Sequence, residues 1–165
     1  MDVEEVRSVP GLQLDRYLGL WFEQGRLPLR YEDDDATDVT AEYALADDGT
    51  VRVDNRCLDG DGEPTQAVGE AELDTEHAGR LRVTFLPEGL RWIPFTHADY
   101  WVLRVDAEYR HALVGTPDRK HLWLLAREPR GDEAVRRDFL ETARAQGFDL
   151  SDWIETSQSG EVVAI

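Results

Sequence analysis

Residues 37–58 read TDVTAEYALADDGTVRVDNRCL, and this stretch decides the fold. Val39, Ala41, Tyr43 and Leu45 alternate with Asp38, Thr40, Glu42 and Ala44. Beyond Asp47-Asp48-Gly49, Val51, Val53, Asn55 and Cys57 alternate with Arg52, Asp54 and Arg56. Successive side chains of a strand point to opposite faces, so a period of two describes a ribbon with one wet and one covered face. An Asp-Gly pair between two such runs supplies the positive φ of a tight hairpin turn.

Outward from this hairpin the pattern recurs. Before it lies Leu20 to Leu29, followed by the acidic loop Glu32-Asp33-Asp34-Asp35; after it come Ala67 to Leu73, Arg80 to Leu86, Ala98 to Val105, Ala112 to Gly115 and Leu122 to Arg127. Short polar joints such as Asp59-Gly60-Asp61-Gly62-Glu63 and His77-Ala78-Gly79 separate the runs. The first of these has acids enough to suggest calcium, but it lacks the spacing and terminal glutamate of an EF-hand loop and reads as a solvated turn. Eight strands joined by hairpin-length turns predict an all-β fold, an antiparallel up-and-down barrel over about residues 18–128. A jelly roll or sandwich could hold as many strands, but the short joints favour the meander. The period then changes: Val135, Phe139, Leu140 and Ala143 form one stripe of a helix over about 132–146, and Gly147 stops it. This C-terminal helix is expected to pack outside the barrel, before a short final strand over about 153–157. No repeat or linker divides residues 1–165, so the expectation is one domain.

Charge narrows the partners. Thirty-five acidic residues against eighteen basic ones give −17, and Lys120 is the single lysine. Such a field repels nucleic acid and anionic lipid surfaces. It fits a surface that stays soluble in a salt-rich cytosol, where repulsion is screened; a melting point indifferent to salt would remove that reading. No run reaches the roughly 18–20 apolar residues of a membrane span, so no stable insertion is expected. Cys57, the sole cysteine, rules out an internal disulfide and reads as a buried structural thiol. His77, His97, His111 and His121 show no metal-ligand spacing, and neither metal nor cofactor is expected. The chain is expected to be a monomer or homodimer.

Strand alternation assigns the barrel interior. The inward set is Glu23, Gly25, Ala41, Tyr43, Val53, Asn55, Ala67, Gly69, Ala71, Val83, Phe85, Val114, His121 and Trp123. In residues 98–105 both Tyr100/Val102 and Trp101/Leu103 are apolar, and alternation alone leaves that face open. Small inward residues leave room, and the aromatic ones line it, which describes a pocket for an apolar ligand. Leu27, Leu90, Trp92 and Phe95 are apolar for mouth loops and are expected to form an entry lip. An ionised Glu23 in this interior would oppose an acidic ligand unless Arg104 or another cation neutralised it.

Five separated segments carry a family resemblance. Tyr17-Leu18-Gly19-Leu20-Trp21-Phe22-Glu23 resembles the lipocalin Gly-x-Trp signature. Asp106-Ala107-Glu108-Tyr109-Arg110-His111-Ala112-Leu113-Val114 and Leu122-Trp123-Leu124-Leu125-Ala126-Arg127-Glu128-Pro129 resemble the later lipocalin blocks. Thr116-Pro117-Asp118-Arg119 and Gly147-Phe148-Asp149-Leu150-Ser151-Asp152-Trp153-Ile154 are similar to the bacterial lipocalin branch. The resemblance implies a calyx that binds, transports or stores a hydrophobic small molecule such as a fatty acid, lysophospholipid or other lipid, without catalysis. It turns Tyr100 inward and makes Gly19, Trp21 and Arg127 the structural signature, with the Arg127 guanidinium stacked on Trp21. The alternative is a lipid or pigment isomerase or hydratase on the same barrel, with Glu23 as its acid or base. Bacterial relatives are typically outer-membrane lipoproteins. Met1-Asp2-Val3-Glu4-Glu5-Val6 shows no signal peptide or lipidation cysteine, so a cytoplasmic location is expected.

Overall fold

The computed structural model describes residues 5–28, 34–85 and 97–165, and the backbone alone of Phe85 and His97. A short helix α1 (Leu14–Tyr17) leads into eight strands: β1 (Gly19–Arg26), β2 (Thr37–Leu45), β3 (Val51–Leu58), β4 (Pro64–Leu73), β5 (Arg80–Phe85), β6 (His97–Val105), β7 (His111–Gly115) and β8 (Leu122–Ala126). Each pairs antiparallel with the next, and β1 bonds both β2 and β8, which closes an eight-stranded up-and-down barrel. Helix α2 (Glu133–Ala145) lies outside, and a two-residue strand β9 (Ile154–Glu155) bonds the second half of β1. No helix among the described residues is long and apolar enough to cross a membrane.

The 37–58 hairpin forms as the alternation requires, with Ala41 opposite Asn55, Tyr43 opposite Val53 and Leu45 opposite Val51. Inside the barrel one cluster gathers Trp21, Tyr43, Val51, Val53, Ala71, Leu81, Val83, Val102, Val114 and Leu125. A second cluster lies between barrel and helix, where Leu103, Leu113, Leu122 and Leu124 meet Phe139 and Ala143. Asp132 caps α2 by accepting from the Ala134 and Val135 amides, which satisfies two of its unpaired N–H groups.

These two clusters resolve residues 97–105. Tyr100 and Val102 belong to the interior, and Trp101 and Leu103 to the layer under α2. Both faces are apolar because both are covered, and alternation carries no information where neither face is wet.

Candidate functional site

The barrel is shut at the end where β1 begins. Val9, Leu12, Leu14 and Leu18 pack onto the interior from below, and the Trp21 ring fills the floor with no exposure. Arg127 lies over that ring, its guanidinium carbon 3.7 Å from the ring centre. Its Nε donates to the Tyr109 carbonyl at 3.0 Å, Nη1 to Leu20 at 3.0 Å, and Nη2 to Arg16 at 2.7 Å and Tyr17 at 3.3 Å. A forked, always-charged side chain thus ties four carbonyls of three segments to one tryptophan. Gly19 makes room: its φ is +101°, and a Cβ there would stand 3.3 Å from Arg127 Nη1.

Above the floor three phenols converge. Tyr17 Oη lies 2.5 Å from Tyr100 Oη, which lies 2.7 Å from Tyr43 Oη. Their rings, with Leu14, Val51, Val53, Ala71, Leu81 and Val83, enclose a cavity of about 10 Å³, the room of one water-sized group. Burial pushes the Tyr17 and Tyr100 hydroxyls well above the ordinary tyrosine range, with Tyr43 raising Tyr17 further and both neighbouring phenols raising Tyr100, and burial likewise pushes Tyr43 up. All three therefore stay protonated.

Toward the opposite end the interior turns polar, for a reason that alternation could not supply. Strand β1 carries a bulge: Glu23 pairs with Leu125, Gly25 pairs with Leu124, and Gln24 is the extra residue. The Gln24 side chain turns outward to the loop before α2, donating to the Phe22, Glu128 and Pro129 carbonyls and accepting from the Gly131 amide. One extra residue exchanges the faces of everything after it. Gly25, expected inside, lies on the outer wall, where a Cβ would come within 2.5 Å of Trp153 Cζ2 and 2.7 Å of the Ile154 carbonyl. Leu27, expected at the entry lip, is buried in the outer cluster with Leu122 and Phe139 and donates its amide to Leu122. Arg26 takes the inward place, opposite Trp123 and with no exposure.

Arg26 Nη1 donates to Glu23 Oε2 at 2.9 Å, and the Thr156 hydroxyl donates to the same oxygen at 2.6 Å. Burial raises the Glu23 carboxyl above the ordinary glutamate range, opposed first by the Arg26 charge and then by the Thr156 hydroxyl. The cation beside Glu23 is therefore Arg26. Arg104 faces α2 instead, bonding Asp138 and Thr142 and lying 4.2 Å over the Phe139 ring.

Thr156 reaches Glu23 because the C-terminal segment enters the wall. The first half of β1 pairs with β2 and the second half with β9, so the two strands part toward the mouth. The tail fills the gap. The Thr156 amide donates to Gln24, Asp38 donates to Ser157, and the Gln158 amide bonds the Glu23 and Val39 carbonyls, each at 2.8 Å. The final strand, expected over 153–157, keeps only two ladder residues, Ile154 and Glu155.

The remaining candidates fall into place around these features. Ala41, Tyr43, Val53, Ala71, Val83, Val114 and, partly buried, Tyr100 and Trp123 share the inner cluster. Asn55 and Ala67 face each other across β3 and β4 on the register of that face, and Gly69 stands opposite Val53. His121 stacks on Trp123, ring centres 6.0 Å apart and planes at 22°. Cys57 is buried, its Sγ 2.9 Å from Thr65 Oγ1. The Phe85 side chain and Leu90, Trp92 and Phe95 lie outside the described residues. Alternation missed three contributors: Arg26, hidden by the bulge; Tyr17, in a helix before the first strand; and Thr156, in the tail. The Tyr17–Glu23 block did flag its own neighbourhood, since Tyr17 opens it.

Comparison with known proteins agrees with this architecture. The family model described as a lipocalin-like domain matches residues 12–158. The chain is 36% identical over 159 residues to temperature-induced lipocalin-1 of Arabidopsis thaliana, covering 94% of this chain and 84% of that one. It is 38% identical over 157 residues to the outer membrane lipoprotein Blc of Escherichia coli K12, with the same shares covered. Among solved structures, insecticyanin from the tobacco hornworm Manduca sexta superposes with a TM-score of 0.71 at 22% identity, covering 94% of this chain and 86% of that one, a likeness of fold. The bacterial relative overturns the cytoplasmic expectation. A chain this similar is an outer membrane lipoprotein, so neither the acidic surface nor the first residues of the sequence argue for the cytoplasm.

Proposed function

The chain belongs to the lipocalin-like domain family, and on that premise we propose that its barrel binds and carries or stores a hydrophobic small molecule: a fatty acid, a lysophospholipid or another membrane-derived lipid. One observation carries the reading. The inward wall is built of rings and aliphatic side chains, and the charges that Glu23 and Arg26 bring inside neutralise each other 2.9 Å apart. An apolar tail gains roughly 25 cal/mol per Å² buried against such a wall, less what its immobilisation costs. With Arg26 beside it, Glu23 no longer opposes an acidic head group, which brings fatty acids within the ligand class. The lining is formed by Ala41, Tyr43, Val53, Asn55, Ala67, Gly69, Ala71, Val83, Tyr100, Val114 and Trp123, with His121 above. The membrane location of the bacterial relative supports a lipid as cargo.

Holding is favoured over turnover by the state of the best acid–base candidate. Glu23 Oε2 accepts from both Arg26 and Thr156, which fixes it in place rather than offering it to a substrate.

Native mass spectrometry with lipid extraction, on protein purified from its own host, tests the proposal. The expected result is a co-purifying lipid, and an apolar fluorescent probe should lose about 1–3 kcal/mol of affinity in Trp123→Ala. Protein that is ligand-free and indifferent to every lipid and apolar probe offered would sink it.

A further inference from the structure

The phenols at the closed end hold more hydrogen-bond donors than the fold uses. Three hydroxyls bring three protons. The chain Tyr17–Tyr100–Tyr43 contains two hydrogen bonds and engages two of them, whichever way each points. Among the described residues no carboxylate, amide or carbonyl accepts the third. A buried donor without an acceptor is costly, so a site that keeps one is suited to an acceptor that arrives from outside. The rest of the cavity wall is hydrocarbon, from Leu14, Val51, Val53, Ala71, Leu81 and Val83, and the free space fits one small group.

The chemistry of that acceptor is constrained. The charge of Arg127 reaches Tyr17 and Tyr43, but its three nitrogens are all engaged by backbone carbonyls. The burial that holds the phenols neutral would penalise a carboxylate in the same way. A bare methyl end would leave the third proton unmet.

We propose that the Tyr17, Tyr43 and Tyr100 hydroxyls recognise an uncharged carbonyl oxygen on the buried end of the ligand. Among the lipids proposed above, this favours an apolar molecule with a ketone, aldehyde or ester at its leading end over a fatty acid or lysophospholipid entering by its methyl end. This rests on the cavity reading above and adds the identity of the leading group.

The count dictates an unusual test. Removing one hydroxyl, or two, still leaves at least one unengaged proton, so only Tyr17→Phe/Tyr43→Phe/Tyr100→Phe abolishes the donor; it keeps all three rings and deletes donors and acceptors together, the substitution that disturbs a fold least. Affinities of 2-dodecanone and n-tridecane are measured by competition with a fluorescent apolar probe. The triple variant should lose about tenfold for the ketone and nothing for the alkane, whereas Tyr17→Phe alone should keep most of the ketone affinity. Equal changes for both probes overturn the assignment. Binding of neither probe by the unsubstituted protein overturns the cavity reading and this proposal with it. Should the triple variant not fold, the carbon-13 carbonyl stretch of the ketone bound to the unsubstituted protein decides. A shift to lower frequency than in hydrocarbon solvent is expected, and an unshifted band rejects the hydrogen bond.

Discussion

The closed half and the open half of this barrel are made by the same strands, yet they follow different rules. At the closed half Val51, Val53, Ala71, Leu81 and Val83 point inward as alternation dictates, and the phenols there are neutral. At the open half β1 breaks step at Gln24, so an arginine enters the interior and meets a glutamate, and a tail segment replaces β2 as partner of β1. Hydrophobic burial is tolerant of detail, since any apolar residue of suitable size serves. A buried ion pair is not, because each charge depends on the other and on the backbone shift that presents it.

Substitutions in the two halves should therefore differ in kind. The largest effect is expected from Arg26→Met, which leaves Glu23 buried without its counter-charge at a cost of about 3–5 kcal/mol near neutral pH. That cost should depend on pH. Burial already raises the Glu23 carboxyl in the fold, and losing Arg26 raises it further, so the native state holds a proton that the unfolded chain releases. Stability then falls as pH climbs through the window above the ordinary glutamate range, and the deficit closes below it. Leu81→Ala at the closed half should cost about 2–5 kcal/mol from lost burial and the cavity left behind, equally across that window. Chemical denaturation of both variants at several pH values separates them, and parallel pH profiles would erase the distinction between the halves.

A smaller effect, about 1–3 kcal/mol, is expected from Gly25→Ala, whose methyl group collides with Trp153 and the Ile154 carbonyl on the outer wall. It should loosen the tail and expose it to protease while ligand affinity changes little. Were Gly25 a pocket residue, affinity would fall and the tail would stay protected.

How far the site was legible follows from these cases. The inward places of Tyr43, Val53, Ala71 and Val83 could be read from the chain, because each sits in an uninterrupted run with one dominant apolar parity, whereas Val114 and Trp123 lie in runs apolar on both faces, where Leu113, Leu122 and Leu124 face the helix. Gly25 and Leu27 were misplaced, since a bulge adds a residue without any composition of its own. The Gln24 side chain that accompanies it bonds to Glu128, Pro129 and Gly131, more than a hundred residues away. The faces of residues 98–105 came only from family likeness, and the structure separates them by burying one under α2.

Family likeness supplied the Trp21–Arg127 corner that shuts one end; the sequence by itself determined a closed meander of eight strands and the helix outside it. Those features rest on local period, turn chemistry and strand adjacency, all of which are written in consecutive residues. Only the tertiary structure decided that Arg26 meets Glu23, that Thr156 reaches the same carboxylate, and that Tyr17 joins Tyr43 and Tyr100. Each of these joins residues from distant segments across a bulge, a tail or a helix before the first strand, and the chain encodes such meetings only through the packing that brings them together.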